Sequence, residues 1–130
     1  TDVSVALEYF RNAIKKRCTA FLISDFISPD FEKPLMVASN RHDLVAVQVY
    51  DPKDTEIPNV GWVKMIDAET NETVYVDTSS SDVRMRYKDK WNKQQATLKK
   101  NFQKNHVDMV SISTDDDYVK ALINLFRMRG

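Results

Sequence analysis

The sequence predicts an α/β fold: three layers, with a mostly parallel sheet carrying helices on both faces and an antiparallel hairpin inserted into it. Three observations predict it. The apolar runs "TAFLIS", "DLVAVQVY" and "VDMVSIS" alternate with segments of helical periodicity, as strand–helix–strand units do. The first two runs are nearly continuous in apolar character, as expected of strands covered on both faces. Between the second and third runs, "GWVKMI" and "TVYV" alternate apolar and polar residues, the pattern of a hairpin.

Each element follows from local signals. Val3, Leu7, Phe10 and Ile14 recur at helical spacing, so residues 3–16 read as an amphipathic helix. Lys15, Lys16 and Arg17 fall at its end, where cations suit the helix dipole. The first strand follows and stops at Ser24-Asp25. Those two residues fit either a cap after a strand-to-helix turn or a ligand-holding edge. Ser28-Pro29 opens the next helix, with Phe31, Leu35 and Ala38 as its apolar stripe. Pro34 makes that helix short or irregular. The second strand covers residues 43–50, Asp51-Pro52 ends it, and an acidic loop runs to Asn59. The hairpin pairs residues 61–66 with 73–77, and Asn71 supplies a positive φ at its turn. "TSSSD" (Thr78 to Asp82) starts a long helix that ends near Asn105. Val83, Tyr87, Trp91, Leu98 and Phe102 lie along one of its faces. The third strand covers residues 107–113, and "TDDDY" caps a final helix that turns Val119, Leu122, Ile123 and Phe126 to the core. Right-handed crossovers set the three core strands side by side. Asp25, Asp51 and the Ser113–Asp117 cluster then sit at carboxyl ends of strands, where such sheets bind ligands.

Composition bounds the chemistry. The 130 residues, 42% hydrophobic, suit one globular domain, 1–130. No apolar run reaches membrane-spanning length. The single Cys18 excludes an internal disulfide framework and fits a reducing, cytoplasmic setting. With Gly61 and Gly130 as the only glycines, there is no phosphate loop and no dinucleotide fingerprint. His42 and His106 each precede a strand, at the opposite edge from Asp25, and read as structural or solvated. Cys18 reads as an inert thiol without a His partner. Thr1, Ser24, Asp25 and Ser28 are hard oxygen donors suited to Mg²⁺ or Mn²⁺, and the same residue types are ordinary caps. Asp115–Asp117 suit a helix dipole and lack the alternating ligands of a calcium loop.

Charge is neutral overall but uneven. Residues 51–82 carry eight acids against Lys53 and Lys64, and residues 83–104 carry eight bases against Asp89. Tyr87 and Trp91 fall on the apolar stripe of the basic helix, so they read as packing residues rather than base-stacking platforms. The sequence pI of about 6.7 also argues against nucleic acid as the partner.

The segments "TDVSVALEYF", "AFLISDFISPDFEKPL", "NRHDLVAVQVYDP", "EIPNVGWVKMIDAETNE", "VDTS" and "STDDDYVKALINLFR" resemble the C-terminal half of a bacterial family catalogued as domain of unknown function 58. Its members have a von Willebrand factor type A-like domain, a Rossmann-like three-layer fold. The resemblance implies a metal-ion-dependent adhesion site in which Thr1 matches a second-loop threonine and Asp25 a third-loop aspartate. The family's Asp-x-Ser-x-Ser motif is absent from this chain. The resemblance therefore implies a C-terminal fragment with at most half a metal site. The resemblance leaves room for Mg²⁺ or Mn²⁺ in the intact protein, and none is expected to be bound tightly by these residues. In type A domains the "AFLISDF" strand is central, so its edge is expected to lie open here and to be covered by homodimerisation. The function implied is a non-enzymatic protein-interaction module acting with a MoxR-type AAA+ ATPase in assembly or maturation of protein complexes. The alternative is a Mg²⁺-dependent hydrolase or phosphotransferase using Asp25 and Asp115–Asp117. The missing phosphate loop and general base weigh against it.

Overall fold

The computed structural model describes residues 2–27, 30–67 and 70–129. They form α1 (Val3–Ala13), β1 (Thr19–Ser24), α2 (Glu32–Arg41), β2 (Asp43–Tyr50), α3 (Pro52–Thr55), β3 (Trp62–Ile66), β4 (Thr73–Asp77), α4 (Ser81–Lys104), β5 (Asp108–Ser113) and α5 (Tyr118–Arg129). The chain divides into two compact units, Thr1–Tyr50 with Thr97–Gly130, and Asp51–Ala96.

The first unit is a three-layer sandwich. Its sheet has the order β1-β2-β5, and both pairings are parallel, with Thr19 opposite Asp43 and Val45 opposite Asp108. Central β2 buries Leu44, Val45, Ala46, Val47 and Gln48 in succession. Leu44 and Ala46 join a cluster with Val3 and Leu7 of α1, Leu35 and Ala38 of α2, and Phe102 of α4. On the opposite face Val45 and Val47 pack with Ile112 and with Leu125 of α5. The one polar residue in the run, Gln48, accepts a hydrogen bond from the Ser111 hydroxyl (2.9 Å). That bond removes much of the cost of burying an amide.

Several expectations change on contact with this packing. Strand β1 is not covered on both faces: Phe21 and Ile23 are exposed while Ala20 and Leu22 pack inward, because β1 ends the sheet and α5 covers β2 and β5. Helix α1 stops at Ala13, with Ile14 extended as its C-cap, so Lys15–Arg17 lie beyond it. Helix α2 starts at Glu32; Ser28 and Pro29 lie outside the described residues. Pro34 is its third residue, where the missing N–H has no intrahelical partner to lose. In α5 the buried residue is Leu125, flanked by half-buried Ala121 and Leu122, while Val119, Ile123 and Phe126 are exposed. The sheet lies one turn-position round the helix from the predicted stripe.

The second unit contains α3, the β3–β4 hairpin and the first part of α4. The segment read as an acidic loop contains the one-turn helix α3. Asp51 caps it with a reciprocal Asp51–Asp54 box and Pro at its start, a combination that favours a helical turn. The hairpin pairs Trp62 with Asp77 and Ile66 with Thr73, and Asn71 takes φ 60° at the turn, both as predicted. Ser80 supports the start of α4 by accepting the Val83 N–H (3.4 Å).

Phe102 sits among Phe26 and Phe31, with ring centroids 5.2 and 6.2 Å away, and is almost fully buried. Phe102→Ala should therefore cost about 3–5 kcal/mol, read as a fall in the urea midpoint of unfolding.

Candidate functional site

The carboxyl edge of the sheet, where ligands were expected, is built of turns. The Ser24 hydroxyl accepts the Phe26 N–H (3.0 Å) and Asp25 Oδ1 accepts the Ile27 N–H (3.0 Å). These two local bonds support a backbone with φ 58° at Phe26, a conformation that side chains rarely adopt. The turn plants the Phe26 ring against Phe31 and Phe102. Ser24 and Asp25 end the strand so abruptly because the chain must turn there to bury Phe26.

The aspartate cluster after β5 is spent in the same way. Asp116 Oδ2 accepts the Ser113 N–H (3.1 Å), and Asp117 Oδ1 accepts the N–H groups of Val119 (3.1 Å) and Lys120 (3.3 Å). Asp25 follows β1 and Asp115–Asp117 follow β5, with β2 between. Among the described residues no three His, Cys, Asp or Glu side chains are grouped to hold a metal ion. Thr1 lies outside the described residues. Of the two residues expected to form part of a metal site, Asp25 is the one described, and its Oδ1 is engaged by the Ile27 N–H.

At the amino edge, Cys18 does have a His partner. Its Sγ lies 3.6 Å from Nδ1 of buried His42. The same Nδ1 accepts the Cys18 backbone N–H (3.1 Å), so it is the unprotonated nitrogen and its lone pair is already engaged. The imidazole, tilted at 58° to the Phe10 ring with centroids 4.7 Å apart, pins the start of β1 to the start of β2 rather than activating the thiol. Arg129 of α5 closes the same edge by ion pairs to Asp43 and Asp108, the first residues of β2 and β5. A cleft of about 370 Å³ between α1 and α2 is bordered by Glu8, Arg11, Asp30 and Lys33. Its charges balance, so it favours neither anions nor cations.

The feature that burial does not explain is the outer face of the hairpin. Trp62, Ile66 and Tyr75 share that face by register and are 72, 67 and 70% exposed. Lys64 pairs with Tyr75 between them. Below the face, Thr78 is fully buried: its hydroxyl donates to the Gly61 carbonyl and accepts the Val60 N–H (3.0 Å). Arg84 donates to the Thr78 carbonyl (2.6 Å). The hairpin is thus anchored at its base while its aromatic face stays open. Tyr87 of α4 has its pKa raised above the ordinary 10.0 by burial and, secondarily, by the Asp54 carboxylate.

Fold and surface together define a class: an α/β scaffold that presents an exposed aromatic hairpin. The chain belongs to the family described as protein of unknown function DUF58, whose model matches residues 1–97. An uncharacterized protein of Mycobacterium avium, MAV169, is 27% identical over 129 residues, 98% of this chain and 76% of its own length. Uncharacterized proteins Mb1516 of Mycobacterium bovis and Rv1480 of Mycobacterium tuberculosis are 40% identical over 70 residues. Those matches span 53% of this chain and only 22% of the relatives' length. No solved structure gives a significant match. Among the described residues no helix is long and apolar enough to cross a membrane.

Two outcomes follow. Thr78→Val keeps the shape of the side chain but strands the buried groups around it, so the second unit should lose about 1–3 kcal/mol, seen by thermal unfolding followed at tryptophan fluorescence. The Tyr87 phenol keeps its proton longer in the folded chain than in the unfolded one. Its contribution to stability is fully present below pH 10.0 and is lost as pH rises through the higher folded value. The ultraviolet titration difference between the parent chain and Tyr87→Phe should show one phenol ionising above the ordinary range, and the variant's stability should fall less in strongly alkaline buffer.

Proposed function

We propose that this chain is a non-enzymatic protein-interaction module that docks through the hairpin face, acting with a MoxR-type AAA+ ATPase in assembly or maturation of protein complexes. The observation that carries the docking surface is the trio Trp62, Ile66 and Tyr75, exposed side by side on a hairpin anchored through Thr78. Tryptophan and tyrosine are the residues in which binding energy concentrates, and folding alone gives no reason to leave three such side chains in water. The ATPase as partner rests on the family resemblance. The seven described acids between residues 51 and 82, against Lys53 and Lys64, favour a partner surface rich in Lys and Arg around an apolar anchor point.

Any divalent-metal dependence belongs, in this reading, to the intact protein rather than to these residues. The family's Asp-x-Ser-x-Ser motif is absent from the chain, and contact is made by apolar burial with charge steering at the rim. The hydrolase alternative would need Asp25 and Asp115–Asp117 around one ion, whereas each engages a backbone N–H at its own turn or belongs to that turn.

Calorimetric titration of a purified MoxR-type AAA+ ATPase from a mycobacterium with this chain tests the reading. Saturable binding is expected, weakened at least about tenfold (1.4 kcal/mol) by Trp62→Ala with Tyr75→Ala. Because both side chains are exposed, the double variant should fold with stability within about 0.5 kcal/mol per site of the parent. An ATPase that binds the parent and the double variant equally would remove the hairpin from the reading. One that binds neither would remove the ATPase.

A further inference from the structure

We infer that β5 takes an added strand on its outer edge: an extended segment of a partner protein in which acidic and apolar residues alternate. The surface belongs to the first unit and does not rest on the hairpin reading. Strand β5 ends the sheet on the side away from β1, so whatever lies along β1 leaves this edge as it stands. The Thr114 N–H donates to the Tyr50 carbonyl (2.9 Å), so even-numbered residues of β5 turn their peptide groups toward β2. By the alternation of a strand, those of Met109, Ser111 and Ser113 point outward. The turn after β5 closes the last pair itself. Asp116 Oδ2 accepts the Ser113 N–H (3.1 Å), and the Asp116 N–H donates to the Ser113 carbonyl (3.0 Å). At Met109 and Ser111 the outward groups face no strand among the described residues. A cleft of about 530 Å³ lies there between β5 and the end of α4, bordered by Lys99, Phe102, Gln103, Met109, Val110 and Ser111. Val110 packs its side chain on the opposite face of the sheet, so its place on the border shows that the cleft reaches the strand's edge.

Charge names the occupant. Residues 97–107 carry Lys99, Lys100 and Lys104 and no acid. Lys99 and Gln103, one helical turn apart on α4, are both exposed at the border of the cleft. The next acid in the chain, Asp108, is held by Arg129, and Lys104 by Glu32 (3.4 Å). A carboxylate that enters the cleft therefore meets Lys99 rather than a like charge. Strand alternation puts every second side chain of an added segment on the α4 side, with Met109 and Ser111, and the others on the side of half-buried Val110. Acids suit the first set and apolar residues the second. Main-chain bonds to Met109 and Ser111, about four in all, supply affinity, and the alternation supplies the choice of segment. Strand β5 holds no proline, glycine or lysine that would turn such a segment away.

The probe is a short fluorescein-labelled peptide of alternating Val and Glu, titrated with the whole chain and followed by fluorescence anisotropy. Saturable binding is expected, and hydrogen exchange at the Met109 and Ser111 amides should slow as the peptide saturates. Lys99→Glu, at an exposed position, should weaken binding several-fold, with circular dichroism checking that the variant is folded. Lysine in place of each glutamate in the peptide should weaken it likewise. Methylating the peptide's backbone nitrogens should abolish binding with every charge untouched, which separates strand addition from charge attraction alone. The Trp62→Ala, Tyr75→Ala double variant should bind the peptide as the parent does, so this result and that of the hairpin stand or fall separately. No binding at millimolar peptide overturns the inference. So does binding that ignores Lys99→Glu or backbone methylation, or that leaves the Met109 and Ser111 amides exchanging as before. A peptide-free chain that sediments as a dimer with those two amides already protected makes the occupant a second copy, and overturns it as well.

Discussion

Strand β2 has no side it can expose. From Leu44 to Gln48 every residue is buried, and this condition dictates most of the first unit. A strand apolar on both faces needs neighbours on either side for its peptide groups and helices above and below for its side chains. Parallel β1 and β5 supply the first requirement. Helices α1, α2 and the end of α4 supply one cover, and α5 the other. Even its polar residue is made safe within the sheet, through Ser111 on β5. The edges of the sheet are tied off where β2 begins, by His42 beside Cys18 and by Arg129 bridging Asp43 and Asp108.

The sheet was legible in the sequence because strand and helix signals depend on nearest neighbours. The Val-rich run at β2, the alternation at β3 and β4, and the Thr-Ser-Ser-Ser-Asp cap of α4 all mark elements found within a few residues of where they were read. What local signals cannot carry is which face a neighbour covers. The apolar composition of β1 is that of a doubly covered strand, yet it lies at the edge. The periodicity of α5 offers two adjacent stripes, and only the position of β2 and β5 chooses Leu125 over Ile123 and Phe126. The Cys18–His42 contact was within reach. Each residue immediately precedes a strand, and in-register parallel pairing of Thr19 with Asp43 places the two side by side.

The candidate site was less legible, for a related reason. Aspartate and serine after a strand suit a cation and suit a backbone N–H equally well, and one-dimensional spacing cannot tell which will arrive first. In Asp25, Asp116 and Asp117 the N–H groups within three residues occupy the carboxylates. Local bonds of this kind form without long-range assembly, whereas a shared ion would require chains of separate turns to converge. The aromatic face of the hairpin was visible as a pattern but not as a surface, because alternation says which residues share a face and not which face is wet.

The second unit has an energetic peculiarity. Of its described residues, only Thr78 is fully buried, and no apolar side chain is. A segment held by turns, caps and half-buried side chains sits at the low end of the stability spectrum, and opens locally at smaller free-energy cost than a packed sheet. In the proposed interaction, a partner covering Trp62, Ile66 and Tyr75 provides the apolar burial that the segment itself lacks. Recognition and ordering then become one thermodynamic event, with part of the contact energy consumed in restricting the chain. Such a coupling suits an encounter that must be specific in what it selects and brief in how long it lasts.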